Sequence, residues 1–170
     1  QVVILGIRAF NTVEPLAYKN KILFDWVHEG GTMIVQYNVN RGLVTEELAP
    51  YPLSLSRDRV TEEHTPVTLL APDHPVFSFP NKINTSDFEG WVQERGLYFP
   101  STWDEHFTPL LQMNDTGEAP TKGALLVAQY GKGYYVYSGL SWFRHLPAGI
   151  PGAYRLLSNL IALGYKNGRS

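Results

Sequence analysis

Polar side chains crowd behind two apolar runs. Gln1–Ile7 (QVVILGI) is followed by Arg8, Asn11 and Glu14, and Thr32–Tyr37 (TMIVQY) ends on Tyr37 and leads into Asn38, Asn40 and Arg41. A guanidinium donates in a fixed fork, whereas an amide both donates and accepts. If the two clusters converged, they would suit an anion or a polyol. The plainer alternative is that Asn38 and Asn40 shape a turn while the arginines pair with Glu14 and Glu46. Trp91 and Tyr98, with Trp103 nearby, could lie against the apolar face of a sugar or could close the core.

Groups able to break bonds are sparse. The sequence has no cysteine, which removes thiol nucleophiles, disulfides, cysteine-ligated zinc and iron–sulfur clusters. Asp73 and His74 are adjacent between Pro72 and Pro75, and neighbours in an extended segment point apart, a poor start for an acid–base pair. Trp103-Asp104-Glu105-His106 lacks the i, i+4 helical spacing of a zinc hydrolase. His28, His64, His74, His106 and His145 are scattered and form no recognised metal motif. Gly131-Lys132-Gly133 is followed by no phosphate-cradling helix and predicts a hairpin turn. Ser141 keeps only the first glycine of a Gly-x-Ser-x-Gly elbow. No catalytic residue and no metal ligand is assigned.

The elements that would position these groups follow from periodicity. The continuous β-branched run Gln1–Ile7 predicts a strand buried on both faces. Pro15 opens a helix carrying Leu16, Ile22, Leu23, Trp26 and Val27 to about His28, and Gly30-Gly31 ends it. Thr32–Tyr37 is the second strand, so a parallel βαβ unit is expected. Asn38–Thr65 reads as irregular, with weak helical character at Thr45–Leu48. Val67–Leu70 and Thr108–Met113 read as strands, and Phe88–Phe99 as strand–turn–strand around Glu94-Arg95-Gly96. Ala124–Tyr130 and Tyr134–Ser138 predict a hairpin. From Pro151 a helix runs to about Leu163, burying Tyr154, Leu157, Leu160 and Ile161. Together they predict a single α/β domain over residues 1–170, three-layered, with a mostly parallel sheet flanked by helices and a C-terminal β-hairpin and helix. Ligands of such sheets bind beyond the carboxyl ends of the strands, where Arg8 and Arg41 would meet.

At 170 residues the chain is long enough for one core without staples. A net charge of −2 argues against a nucleic-acid groove, and no apolar run reaches the ~20 residues of a membrane span. Aromatics reach 13% while charged residues stop at 18%, a balance that suits a large core, a partner surface or a sugar cleft. Gln1 enters directly into strand without an initiator Met, so the chain reads as a fragment of a longer protein. Freedom from cysteine fits cytosol and periplasm equally.

Several motifs resemble known families. Gly30-Gly31-Thr32-Met33-Ile34-Val35, the His74-Pro75-Val76 loop, Tyr130–Tyr137 and the helix with Leu157, Asn159 and Leu160 resemble the class I glutamine-amidotransferase-like (flavodoxin-like) fold, in its ThuA-like branch. Gly6–Asn11, Tyr37–Gly42, Asp87–Gly96 and Ser138–Gly152 are similar to the carboxy-terminal region of bacterial PIG-L/LmbE-family deacetylases. Glutamine amidotransferases place a Cys just after the strand equivalent to Thr32–Tyr37; here the residues are Gln36-Tyr37-Asn38, which excludes that chemistry. The deacetylases' zinc motif is of His-Pro-Asp-Asp type, whereas this chain has Pro72-Asp73-His74-Pro75. The resemblance therefore implies a non-catalytic accessory domain, carbohydrate-binding or stabilising, of an N-acetyl-sugar deacetylase. Zinc is then expected only in the deacetylase domain, and the expected partners are a saccharide and that catalytic domain. Arg8, Asn11, Tyr37, Asn38, Asn40, Arg41, Trp91 and Tyr98 are the candidate ligand contacts. Two alternatives remain: a ThuA-like sugar-processing domain using Asp73, His74 or His145, and a structural module docking through Trp91, Trp103 and Trp142.

Overall fold

The apolar runs from the two ends of the chain meet in one sheet. The computed structural model describes residues 1–165. In chain order its elements are β1 (Val2–Leu5), α1 (Ala9–Thr12), α2 (Leu16–His28), β2 (Thr32–Gln36), β3 (Leu53–Val60), β4 (Thr68–Leu69), β5 (Gly96–Trp103), β6 (Thr108–Pro109), β7 (Leu111–Gln112), β8 (Leu125–Tyr130), β9 (Gly133–Ser138), α3 (Trp142–His145) and α4 (Pro151–Ile161). Short 3-10 turns lie at Pro75–Phe77 and Thr85–Phe88. No described helix is long and apolar enough to cross a membrane.

The main sheet has the order β1-β2-β9-β8-β6. β1 and β9 flank β2 in parallel, with Ile34 opposite Ile4 on one side and Val136 on the other. β8 and β6 then continue antiparallel. Two further two-stranded antiparallel ribbons, β3–β5 and β4–β7, stand outside it. The expected mostly parallel, three-layer sheet is therefore corrected to a mixed fold with small and mainly antiparallel sheets. The physical reason is connectivity. A parallel strand requires a crossover, and β9 is reached by a tight turn from β8, which forces antiparallel pairing there. Gly133 opens β9 beside the end of α2, where a Cβ would fall 2.1 Å from the Val27 carbonyl oxygen.

Alternating residues of β2, β8 and β9 feed two cores. Ile34, Leu125, Val127 and Val136 pack with Ala153, Leu156 and Leu160 of α4. Met33, Val35, Leu126, Tyr135 and Tyr137 pack with Leu16, Phe24 and Val27 of α2. The faces of both helices differ from expectation. α4 leaves Tyr154 and Ile161 exposed, and α2 leaves Ile22 exposed. The β1 run also differs: β1 is an edge strand, with Ile4 44% exposed. A continuous apolar run reads as doubly buried, but at the edge of the sheet all four residues of β1 keep some exposure.

The β3–β5 ribbon sets the frame of the site. Gly96, at the start of β5, bridges Leu140 just past the carboxyl end of β9, and the Leu97 N–H donates to the Gly139 carbonyl at 2.9 Å. The ribbon thus springs from the carboxyl end of the sheet, next to the exit of β2.

Candidate ligand cleft

The loops after β1 and β2 do converge, and two asparagines fasten them together. Asn38 is fully buried; its Oδ1 accepts the Phe10 N–H at 2.9 Å and its Nδ2 donates to the Gln36 carbonyl at 3.1 Å. Its own N–H donates to the Tyr137 hydroxyl at 3.0 Å. Asn11 accepts the Val39 N–H at 2.8 Å and donates to the carbonyls of Val39 and Arg41, both at 3.0 Å. The Arg8 N–H reaches the Tyr37 carbonyl at 2.8 Å. These amides hold the backbone rather than face a ligand. Arg8 stands in the left-handed region (φ 59°), and its exposed side chain lies outside the cleft lining.

The cleft itself, about 700 Å³, is lined by Asn40, Arg41, Arg57, Arg59, Leu97 and Tyr98. Asn40 and Arg41 come from the loop beyond β2. Arg57 and Arg59 come from β3, on either side of a shift in its register with β5 at Asp58, and both reach this hollow. Arg59 pairs with Glu118 at 3.8 Å, and both are about half exposed, so the pair contributes little. Asn40 Oδ1 is shielded from solvent with no donor to it among the described residues.

One wall is aromatic. Tyr98 stacks on Tyr37, with ring centroids 6.1 Å apart and planes at 15°, and Tyr37 tilts onto Phe143 at 5.5 Å. Tyr98 holds φ at 50°, a left-handed conformation that costs a residue with a Cβ about 1–3 kcal/mol. Tyr37 is itself almost buried and acts as backing for Tyr98.

Trp91 is corrected from stacking surface to core. It is 1% exposed, donates its indole N–H to the Asp87 carbonyl at 2.9 Å and packs against Phe88, Trp142 and His145. Trp142 is equally buried and Trp103 packs on the second core, so these three rings form no common outer face.

The acid–base candidates stand apart from the cleft. His145 is fully buried; its Nδ1 accepts the Val92 N–H at 3.4 Å, and burial lowers its pKa to about 4. His74 accepts the Val76 N–H at 3.2 Å, capping a 3-10 turn, and burial lowers its pKa as well. Asp73 is exposed. Asp104 and His106 do meet, at 2.5 Å on the surface, where the His106 N–H and ring hold the carboxyl below its usual range. No group of three or more potential ligands among the described residues could hold a metal ion.

Sequence reasoning missed Arg57 and Arg59, because Asn38–Thr65 reads as irregular. The signal was present: Leu53–Val60 (LSLSRDRV) alternates as a strand does. The Glu94-Arg95-Gly96 turn is also corrected. Glu94 is a buried acceptor for Ser141 Oγ at 2.9 Å and Arg144 Nε at 2.6 Å. Arg95 is buried too, bound to the carbonyls of Phe88 and Thr65, and burial brings its pKa down to about 10. A second hollow of about 600 Å³ beside α2 mixes Lys21 with Asp25, Glu46 and Glu47, so its charges oppose one another.

No protein-family model and no curated protein sequence matches the chain. Solved structures resemble it in fold. Cytoplasmic Protein STM3548 from Salmonella typhimurium superposes with a TM-score of 0.57 at 12% identity, over 95% of this chain and 70% of that one. Cytoplasmic Protein STM1381 from Salmonella typhimurium LT2 gives a TM-score of 0.52 at 12% identity, over 95% and 71%. The β-galactosidase from Bacillus circulans sp. alkalophilus gives 0.51 at 13%, with 94% of this chain covering 22% of that one. At such identities the likeness concerns the fold alone. The chain spans about a fifth of the β-galactosidase.

Proposed function

We propose that this chain is a non-catalytic accessory domain that binds a saccharide in the cleft beyond β2, within a deacetylase of the PIG-L/LmbE type. The cleft carries the reading. Guanidinium donors from Arg41, Arg57 and Arg59 share it with the Tyr98 ring, the combination that grips hydroxyls and covers an apolar sugar face. No carboxylate–histidine pair borders it, and Asn38, at the position that resembles the amidotransferase nucleophile site, is a buried structural amide. The parent is suggested by the motifs that resemble the carboxy-terminal region of those deacetylases, and on this reading zinc would sit in the parent's catalytic domain.

Thermal unfolding against N-acetylated and free amino sugars tests this reading. A ligand at a hundred times its dissociation constant adds about 2.7 kcal/mol, equivalent to roughly 2–4 °C per kcal/mol at this size. The expected shift disappears in Arg41→Ala. Absence of any shift across the panel would favour a purely structural module.

A further inference from the structure

We infer that the ligand of this cleft carries an anionic group, a phosphate or a carboxylate, on a polyhydroxy frame; this rests on the reading of the cleft as a binding site. Three guanidinium groups from two separate segments line one hollow in a chain whose net charge is −2. Only Arg59 has a carboxylate partner among the described residues, Glu118 at 3.8 Å. Arg57 and Arg59 also line a neighbouring hollow with Asp58 and Glu118, so carboxylates border the strand arginines on that side, while none is among the lining residues of the cleft itself. Arg41 and Arg57 are exposed and unpaired among the described residues. Like charges gathered this way repel until an anion enters, and a planar guanidinium matches the two oxygens of a phosphate or carboxylate in fork geometry.

A further feature favours a sugar frame over a bare ion. Tyr98 is held in a left-handed backbone on the cleft wall, and strained residues of this sort cluster where a ligand is clamped.

Calorimetric titration separates the parts. The probes are glucosamine 6-phosphate against glucosamine, glucuronate against glucose, and inorganic phosphate alone, each at low and high salt. The expected result is that a charged sugar binds at least about tenfold tighter than its neutral counterpart, with the advantage shrinking as salt screens it. Arg57→Ala/Arg59→Ala should remove at least tenfold of that affinity without moving the unfolding midpoint, and Arg57→Lys should restore part of it. The phosphate and glucuronate arms tell which anion is taken. Inorganic phosphate binding as tightly as the sugar phosphate would overturn the polyhydroxy part. Equal binding of charged and neutral sugars, unaffected by the arginine variants, would overturn the anionic part while leaving the saccharide reading in place. No binding by any probe would overturn both.

Discussion

Asn38 bonds to Phe10, Gln36 and Tyr137 from a fully buried position, which makes it a fastener of the cleft rather than a lining group. Asn38→Ala leaves the Phe10 N–H without its acceptor, and a buried unsatisfied group costs about 1–3 kcal/mol. The expected outcome is a midpoint lowered by several degrees in thermal unfolding, whereas exposed Arg41→Ala stays within about 0.5 kcal/mol of the parent. His145 gives a pH signature. Its folded pKa, near 4, lies below the ordinary 6.5, so the unfolded chain takes up a proton first as pH falls. Stability is then full above about pH 6.5 and declines toward pH 4. Urea unfolding at pH 7.5, 6 and 5 should show this decline, and His145→Gln should flatten it whatever its absolute stability.

At the scale of elements, what was legible in the sequence was local. The parallel contact of β1 with β2 and the β8–β9 hairpin follow from apolar runs, a helical period and a Gly-rich turn within a few dozen residues. What was not legible depended on distant partners. β3 pairs with β5 across the irregular middle of the chain, with shifts of register at Leu55 and Asp58, so its two arginines could not be assigned to the cleft from local pattern. The same gap explains the aromatic candidates. Trp91 and Tyr98 are similar rings a few residues apart, yet backbone direction buries one and places the other on the cleft wall. Close packing of α2 against the hairpin is testable by Gly133→Ala, whose Cβ would fall 2.1 Å from Val27 O and 2.2 Å from Gly31 O. Forced overpacking of this kind costs about 1–3 kcal/mol, and chemical denaturation should register that loss with an unchanged slope on denaturant.

On the scale of the whole molecule, charge and topology are both unevenly distributed. The overall balance is slightly acidic, yet the cleft gathers cationic groups, a contrast invisible in a composition. Topologically, the sheet is closed by its latest arrivals: β2 is complete at Gln36 but receives its second neighbour only when β9 forms, with Ile34 opposite Val136. During synthesis the ribosome therefore releases β2 long before its partner. An apolar strand with an unpaired edge templates association with other chains. A fragment of residues 1–122, which lacks the hairpin, should accordingly sediment as aggregates or be held by chaperones in cell-free translation, whereas the 170-residue chain should stay in the supernatant. The waiting time of that open strand makes the speed of translation through the middle of the chain a determinant of how much protein reaches the native state.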